Sequence, residues 1–462
     1  MTASFGADDK RRSGRSEIDP SHRSPSHRDR DRVLYSESFR RLGGVTQVAL
    51  GRPELILHNR LTHSLKVEQV GLSIVSKLSH EGSDSGLDPS AIAAACLSHD
   101  LGHPPFGHAA EAELNTLLTC SSHRKAARPY SQRVTSPCTK CRLEDGFEGN
   151  AQSFRILTRL ATHRGADSPG LDLTYRSLRA VTKYPWLRGE NLTKPRKWGA
   201  YDCDAEVLFE VTGQDPEVAY ADDPIAQSLD AQVMDWADDI SYAVHDIEDF
   251  YRSGHIPLAD YKPKSDTLKR FIEYASKPEA LGPLEDDIVS AFENLLTFMP
   301  KTAYAGTDED HAVLDMVRST MLTQFIDATS VSEDGLDREQ VQDKLNALVK
   351  QLIWFHVIDG PRLASIQIGQ QRIVRELFEV LEPVALTAYR VDDGDHPDEQ
   401  LVRRLPYNLR VYIDRTRANP GATYKLRECV YRGLTDFISS LSDEDAYYQH
   451  SVLVGRPSHG HL

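Results

Sequence analysis

Histidines and an aspartate crowd two short segments of the sequence, HNRLTH at 58–63 and CLSHDLGHPPFGHAAEAE at 96–113. His63 lies in line with the apolar face of one expected helix, and His99 lies on the apolar face of another, with Asp100 beside it. One histidine on an apolar face is usually a satisfied core residue, but two of them with an adjoining aspartate make coincidence a poor explanation. Imidazole and carboxylate ligands together suit borderline divalent ions. The two segments therefore predict a divalent metal site.

A third segment, QVMDWADDISYAVHDIEDFY at 232–251, adds carboxylates at helical spacing. Four of its side chains fall on one face of the expected helix, separate from its apolar stripe: Asp235, Asp238, Tyr242 and Asp246. A solvated acidic flank would also explain the aspartates. The tyrosine in the middle of this face favours a ligand site instead, because tyrosine can stack on a ligand or hydrogen-bond to it.

Composition places the chain among globular proteins, since 40% of its 462 residues are hydrophobic and 27% are charged. No apolar stretch approaches the roughly 18 residues that a membrane span needs. The N-terminus lacks the apolar segment of a secretory signal, so we expect a cytoplasmic protein with no membrane partner. The net charge of -15 argues against binding nucleic acid over the whole surface. Six cysteines in a chain of this length do not form a secreted disulfide scaffold.

Helical patterns dominate the chain and predict an all-α fold. Residues 62–80, 228–252 and 341–355 carry apolar side chains at helical spacing. Asp88 and Pro89 have the form of an N-cap followed by proline at the first helical position. No run of alternating apolar and polar residues dominates any region. The sequence also lacks the motifs of several common enzymes: it has no Walker A loop, no G-x-G-x-x-G, no H-E-x-x-H and no G-x-S-x-G.

An ordered set of segments resembles the HD-domain dNTP triphosphohydrolases, the bacterial dGTPase family. The segments are RDRDRVLYSESFRRLGGVTQV (28–48), HNRLTHS (58–64), SHDLGHPPFGH (98–108), FEGNAQSFRILTRL (147–160), LRAVTKYPW (178–186) and ADDISYAVHDIED (237–249). A lone His-Asp dipeptide would be weak support, whereas this order of segments is specific. The resemblance implies an HD-domain helical bundle with additional C-terminal helices.

Three regions follow from composition and from the reach of the resemblance. Residues 1–27 have almost no apolar content, so we expect a flexible basic tail. The resemblance covers residues 28–260 firmly, and we expect an HD phosphohydrolase core there, with an insert at about 120–145. It continues more weakly beyond that point, where 261–462 is expected to form a C-terminal helical region.

The resemblance implies a single divalent metal ion, Mn²⁺, Mg²⁺ or similar, bound by side chains from three segments. The ligands that it implies are His63, His99, Asp100 and Asp238. Asp238 is preferred to Asp239 because the family ligand is followed by a tyrosine four residues on and by an aspartate eight residues on. Tyr242 and Asp246 stand at those positions, and the helical face described above gives the same choice.

The implied reaction is hydrolysis of dNTPs, dGTP or several, to a deoxynucleoside and inorganic triphosphate by attack of water at the α-phosphate. A bound divalent ion lowers the pKa of its water and neutralises charge on a phosphoryl oxygen. His108 would assist proton transfer, and Glu111, one helical turn on, could orient it. The implied substrate contacts are Gln47 for the sugar end, Arg60 and Lys183 for phosphate, Tyr242 against the deoxyribose and Asp246 for the 3′-hydroxyl. For Arg60 and Lys183 the alternative is a surface ion pair.

One position departs from the family pattern. Many relatives have a histidine after Phe-Glu in the segment that continues here with Gly149. The glycine removes one candidate acid, which leaves more weight on His108. It marks either a subfamily without this histidine or an altered activity.

A second departure is an insert between AEAELNTLL and GFEGN. It holds C-x2-H and then C-x2-C, in the order Cys120, His123, Cys138 and Cys141. Four ligands at this spacing fit a second, structural zinc site. A polar loop that happens to hold three cysteines is the alternative. The insert also carries several basic residues, so it could contact single-stranded DNA or a neighbouring subunit.

Two other functions compete with a dNTP triphosphohydrolase. The first is another nucleotidase or phosphodiesterase of the HD superfamily; the second is a nucleotide- or nucleic-acid-sensing protein whose HD site only binds. Every implied ligand is present, which favours the enzyme. The resemblance further implies a homo-oligomer, commonly a hexamer in this family, with a regulatory dNTP at subunit interfaces.

Overall fold

The structure is a computed structural model that describes residues 7–14, 23–47, 58–83, 86–165, 168–214, 226–391 and 396–455. Within these ranges almost all regular structure is helical, which confirms the all-α class. The first helices are α1 (Pro25–Leu34), α2 (Glu37–Arg41), α3 (Arg60–His80), α4 (Pro89–Ser98), α5 (His108–Leu118), α6 (Ser121–Lys125), α7 (Tyr130–Thr135), α8 (Gly149–Arg155), α9 (Tyr175–Val181), α10 (Ala205–Thr212) and α11 (Leu229–Arg252). The later helices are α12 (Asp266–Ala275), α13 (Asp286–Phe298), α14 (Asp308–Asp327), α15 (Gln340–Ile353), α16 (Pro361–Ala388), α17 (Glu399–Val402), α18 (Tyr407–Ala418), α19 (Leu426–Ser439) and α20 (Asp443–Leu453).

The departures from α-helix are few in the described ranges. Ile156–Leu160 and Trp354–Ile358 are π-helical turns that extend α8 and α15. A small antiparallel hairpin joins α14 to α15, with strands β1 (Thr329–Ser332) and β2 (Gly335–Arg338). No helix of the described residues is long and apolar enough to cross a membrane.

Helix α4 is the centre of the first hydrophobic core. The Asp88 side chain accepts hydrogen bonds from the backbone N–H groups of Ser90 and Ala91, and Pro89 opens the helix, as the sequence predicts. Residues 91–97 are apolar all round and are buried, because a helix without a polar face must be surrounded. The helices α1, α3, α9 and α11 surround it. Two of these neighbours, α3 and α11, also pack directly on each other, and this places their functional side chains close together.

A second hydrophobic core joins the middle of the chain to its C-terminal part. It contains apolar residues of α5 and of the segment 143–151, packed against α16, α18 and α19. Polar contacts link the same elements: Arg155, with no exposed side-chain surface, lies between Asp204 and Asp436 at 3.0 and 2.8 Å. The C-terminal helices therefore pack on the element that follows the insert. A boundary at 260/261 stays a prediction.

Residues 7–14, part of the predicted flexible tail, pack against the rest of the described chain. Arg11 is buried, and its Nη1 donates to Asp29 Oδ1 and to the backbone carbonyl of Asp172, both at 2.5 Å. Tyr175 donates its backbone N–H to the carbonyl of Lys10. Composition missed this packing because a single buried arginine can anchor a segment that has no apolar residues of its own. Residues 1–6 and 15–22 of the predicted tail lie outside the described residues.

Candidate metal and nucleotide site

His63 is presented by the first turn of α3. Asn59 caps this helix by accepting from the backbone N–H of Thr62, whose hydroxyl in turn accepts from the Asn59 N–H. This reciprocal capping fixes where the helix starts and hence which way His63 points. The imidazole is buried, and its Nε2 lies 3.1 Å from Asp238 Oδ1 of α11.

His99 comes directly after the last residue of α4, and its two ring nitrogens have different surroundings. Nδ1 lies 2.7 Å from the carbonyl oxygen of Cys96 and therefore carries the proton that it donates. Nε2 is buried without a hydrogen-bond partner and lies 3.4 Å from Asp100 Oδ1 and 3.5 Å from Asp238 Oδ1. A ring nitrogen that faces two carboxylates is stabilised by positive charge between them, supplied either by its own proton or by a metal ion. The arrangement fits a metal ion.

The predicted ligands converge, with one of them at the edge of the group. The ligand atoms of His63, His99 and Asp238 all lie within 4.8 Å of one another. Asp100 adjoins them through the 3.4 Å contact with His99, while its Oδ2 accepts from Arg60 Nη1 at 2.7 Å. Two imidazoles and two carboxylates from α3, the α4 end and α11 suit Mn²⁺, Fe²⁺, Zn²⁺ or Mg²⁺.

The charges around this group favour a cation. Burial alone would raise the pKa of Asp238, but Lys183 and His99 hold it well below its usual range. The pKa of Asp100 is likewise held low against burial, chiefly by Arg60. Burial would lower the pKa of His99, yet Asp100 and Asp238 raise it to about 9. Both carboxylates are therefore ionised at neutral pH, and positive charge between them is stabilised.

Comparison with known proteins agrees with this geometry. A family model for the HD domain matches residues 60–143. Proteins named deoxyguanosinetriphosphate triphosphohydrolase-like protein match over most of the chain. The one from Streptomyces coelicolor is 33% identical, with 94% of each chain covered. The one from Corynebacterium efficiens is 32% identical over 78% of this chain and 80% of its own. The second such protein of Vibrio cholerae is 31% identical over 93% and 89%, respectively. The chain belongs to the deoxyguanosinetriphosphate triphosphohydrolase-like family.

Membership of this family confirms the resemblance found in the sequence. It makes the chain an HD-type phosphohydrolase, and the HD domain is a metal-dependent hydrolase fold. The matched region begins at Arg60, the first residue of α3, and ends at Leu143, near the end of the insert. It therefore includes His63, His99 and Asp100, whereas the fourth predicted ligand comes from α11, beyond the match.

His108 and Glu111 lie on the first turn of α5, near the metal group. His108 is exposed, and its Nδ1 is 2.9 Å from Glu111 Oε2. Glu111 also accepts from the backbone N–H of Gly149 at 3.0 Å. Burial would raise the pKa of Glu111, but its hydrogen bond with His108 is the largest of the opposing effects, and the pKa falls far below its usual range. The carboxylate is charged and can orient the imidazole, as predicted for this pair.

His103 connects that pair to the metal group. Its Nδ1 lies 3.0 Å from Asp100 Oδ1, and its ring is 5.4 Å from that of His108. Burial and then Arg60 lower the pKa of His103 to about 4, so the ring is neutral at pH 7. A methyl group on Gly149 would lie 3.4 Å from this ring. A histidine at position 149, as in many relatives, would therefore stand against His103.

The predicted substrate residues of α3 and the preceding loop lie together. Arg60 is almost fully buried, and besides its bond to Asp100 its Nη2 lies 3.5 Å from the carbonyl oxygen of Gln47. The Gln47 side chain has a buried Oε1 without a hydrogen-bond partner, and Arg60 Nε is likewise without one. These two groups retain hydrogen-bonding capacity for a ligand. A surface ion pair is excluded for Arg60 because the guanidinium is buried.

Lys183 is placed at the metal group rather than apart from it. Its Nζ lies 2.5 Å from Asp235 Oδ1 and 3.2 Å from Asp238 Oδ2. Burial would lower the pKa of Lys183, but Asp235 and Asp238 raise it well above its usual range. The ammonium is therefore charged and shared between two aspartates. Asp239, the alternative to Asp238, instead pairs with Lys350 at 2.7 Å.

Tyr242 and Asp246 continue the α11 face one and two turns beyond Asp238. Asp246 is buried and its Oδ2 has no hydrogen-bond partner. Burial and Asp249 raise its pKa well above its usual range. A buried carboxyl group with an unpartnered oxygen is stabilised by a hydrogen bond to a hydroxyl group. The substrate contacts of Tyr242 and Asp246 stay predictions.

A group of titratable residues beside Asp246 was not anticipated from the sequence. His58 contacts Asp249 through Nδ1 at 2.8 Å and also hydrogen-bonds to Lys66. Its ring lies 5.7 Å from that of His245, whose pKa burial lowers to about 2. His58 belongs to the first of the three sequence segments and His245 to the third, so the segments themselves were the sequence evidence that could have indicated both residues. His245 follows Asp238 by seven residues, so helical spacing places it on the Asp238 face, whereas His58 precedes α3 and has no helical register.

Proposed function

We propose that this protein hydrolyses deoxynucleoside triphosphates, dGTP or several dNTPs, to a deoxynucleoside and inorganic triphosphate. One observation carries the proposal: the clustered ligand atoms of His63, His99 and Asp238 lie directly beside two cations, the buried Arg60 and the partly buried Lys183. This arrangement suits a substrate with several phosphate charges. The planar guanidinium of arginine and the compact ammonium of lysine both bind phosphate oxygens. The names of the relatives support the same substrate class.

The four predicted ligands would hold one divalent ion, Mn²⁺, Mg²⁺ or similar. When bound, that ion supplies an acidified water and neutralises charge on the α-phosphoryl oxygen. His108, oriented by Glu111, exchanges the proton that hydrolysis moves between water and leaving group. Arg60 and Lys183 bind the phosphates, and each already has a carboxylate that fixes its position.

Three further residues would recognise the deoxynucleoside end of the substrate. Gln47 has a free buried carbonyl oxygen that suits a hydroxyl or amide donor. Tyr242 packs against the deoxyribose and leaves no room for a 2′-hydroxyl. Asp246 accepts from the 3′-hydroxyl, which would satisfy its unpartnered Oδ2.

Three further proposals concern partners. A homo-oligomer, hexameric as the family resemblance implies, is supported by exposed apolar side chains along α16, namely Ile366, Ile368 and Val384. A regulatory dNTP would bind at the subunit interfaces of such an assembly, and the site of action would be the cytoplasm. For single-stranded DNA, the insert offers less than its sequence indicates, because Arg133 is buried against Asp202 and Arg128 pairs with Glu144. Arg124 and Lys125 remain exposed.

Product analysis tests the proposal directly. The purified protein is incubated with each dNTP, singly and mixed, with Mn²⁺ or Mg²⁺, and the products are separated by anion exchange. We expect triphosphate and deoxynucleoside in equal amounts, lost in Asp238→Asn and retained in Asp239→Asn, whose carboxylate pairs with Lys350 instead. Release of phosphate or pyrophosphate would indicate another HD nucleotidase or a phosphodiesterase. Binding of single-stranded DNA without turnover of any dNTP would indicate a sensing protein.

A further inference from the structure

The insert between α5 and α8 brings together four side chains that can bind a metal. This group is separate from the HD ligands. Cys120, His123, Cys138 and Cys141 offer three thiols and one imidazole whose ligand atoms all lie within 4.8 Å of one another. His123 Nδ1 is 3.5 Å from Cys120 Sγ and 3.4 Å from Cys141 Sγ. Sulfur and nitrogen ligands of a tetrahedral zinc ion lie roughly 3.6 Å apart, given bonds of about 2.3 and 2.0 Å. We propose that these four residues bind a structural Zn²⁺ ion.

The backbone of the insert explains why the two halves of this group meet. Cys120 is the N-cap of α6, and His123 lies on the first turn of that helix, so both side chains point the same way. The backbone N–H groups of Arg142 and Leu143 both donate to the carbonyl of Leu118, at 2.8 and 3.1 Å. These bonds set the end of the insert beside its beginning. The result is a closed loop from Cys120 to Cys141.

Hydrogen bonds around the group match those of a metal–thiolate site. The backbone N–H of Cys120 donates to Cys141 Sγ at 3.2 Å, a contact that stabilises a thiolate. Glu144 accepts from the backbone N–H of Cys138 at 2.9 Å and from the guanidinium of Arg128. Arg188 donates to the carbonyl of His123 at 3.1 Å. These hydrogen bonds therefore position the segments that carry the four ligands independently of a bound ion.

The insert needs a cross-link because it has almost no core. Within residues 120–142, all of which the structure describes, only Tyr130 and Arg133 are buried. A loop that buries so little apolar surface is not held in place by the hydrophobic effect. A disulfide would use two of the three cysteines and leave the third thiol and the imidazole facing it. A tetrahedral ion uses all four groups.

The ion would also fix the end of a functional helix. Cys120 follows the last residue of α5 by two positions, and α5 begins with His108 and carries Glu111 on its first turn. Arg142, next to Cys141, donates to the carbonyl of Leu117 and pairs with Glu382 of α16. The zinc site thus closes the insert where α5, the segment before α8 and α16 meet.

Metal analysis of the full-length protein tests the site. After dialysis against metal-free buffer we expect one equivalent of zinc per chain that remains in Asp238→Asn, a variant of the HD site. The double variant Cys138→Ser/Cys141→Ser loses this equivalent, whereas Lys140→Ala, between the two cysteines, keeps it. Zinc that disappears with Asp238→Asn and persists in the cysteine variant would overturn the proposal.

Two measurements separate loss of zinc from loss of folding. In the wild-type protein grown with cobalt, thiolate-to-cobalt charge transfer should appear in the near ultraviolet, because the HD site contains no thiolate. His123→Cys should keep one equivalent of metal and strengthen that band, whereas His123→Ala should weaken binding. In the untreated wild-type protein, a mercurial thiol reagent should release one zinc as the thiols react. A disulfide among Cys120, Cys138 and Cys141, or thiol modification without zinc release, would refute the site.

Discussion

Gly102 lies where the loop after His99 and Asp100 crosses the start of α8, and no larger residue fits there. A Cβ atom on Gly102 would lie 2.1 Å from the carbonyl oxygen of Gly149 and 2.2 Å from the nitrogen of Ser153. Real Cβ atoms essentially never approach another atom within 3.0 Å. Both neighbours are backbone atoms, so no side-chain rotation relieves the overlap. Gly102→Ala must move the loop and the helix apart by about 1 Å, the difference between 3.0 and 2.1 Å.

That displacement acts on the metal ligands through a defined contact. The Ser153 hydroxyl donates to the carbonyl of His99 at 2.7 Å and accepts from the backbone N–H of Gly102 at 2.8 Å. Overpacking of a tight contact costs about 1–3 kcal/mol, and each hydrogen bond that lengthens adds about 1 kcal/mol. A shift of about 1 Å in catalytic groups lowers the rate on the order of 100-fold. We therefore expect a loss of about 3–5 kcal/mol in the free energy of unfolding and roughly 100-fold lower kcat/KM for dGTP.

Three measurements check this expectation: urea unfolding, Mn²⁺ affinity by electron paramagnetic resonance, and triphosphate release from dGTP. Gly43→Ala is the matched control, because a Cβ there meets only Leu61 Cδ1 at an ordinary 3.8 Å. The control should keep the stability, metal affinity and rate of the wild type. If Gly102→Ala matched the control in stability and in Mn²⁺ affinity, the loop would not be clamped by α8 and the reasoning would be refuted.

Two further predictions concern stability. Arg155→Met leaves Asp436 buried without a cation and leaves Asp204 paired with Arg159 alone, so we expect about 3–5 kcal/mol lower stability in urea unfolding. The exposed Arg372→Met variant should keep the stability of the wild type, and equal effects of the two substitutions would contradict this. Burial and Arg270 lower the pKa of His356 from 6.5 to about 4, while its Nε2 accepts from Tyr261. The unfolded chain therefore binds that proton first, and the stability supplied by neutral His356 is complete above pH 6.5 and lost as the pH falls toward 4. His356→Gln should flatten the pH dependence of urea unfolding over this range, and an unchanged slope would count against the assignment.

Periodicity predicted the helix faces that carry the main site residues, and the family resemblance implied that these residues form one site. The apolar stripes of α3 and α11 predict which faces are buried, and packing of those faces against each other places His63 near Asp238. The choice of Asp238 over Asp239 followed from the family pattern, and helical geometry gave the same choice. Asp239 indeed points to a different partner, Lys350. Local rules succeed here because regular helices fix side-chain direction one turn at a time.

Contacts between distant segments could not be predicted in this way. The sequence did not indicate that Lys183 is shared between Asp235 and Asp238. Arg11 was expected in a flexible tail and is instead buried against Asp29. Each of these contacts depends on which charged groups tertiary packing brings within reach. A charge can satisfy any opposite charge, so composition alone does not specify its partner.

The loop between the HD motif and α5 shows why the C-terminal helices matter to the site. Phe106 has a φ of 66°, a conformation that costs a residue with a side chain about 1–3 kcal/mol. Its backbone N–H donates to Asp443 Oδ1 at 2.8 Å, and its ring lies 5.0 Å from that of Tyr447. Both partners belong to α20.

Arg41 makes the same connection from the other side of the loop. Its guanidinium donates to the carbonyls of Leu101 and His103 in the loop, and to those of Ser439 and Leu441 at the end of α19. A strained loop persists only where its surroundings hold it, and here α19 and α20 supply those contacts. The C-terminal helices are thus structural components of the metal site, although none of the predicted ligands comes from them.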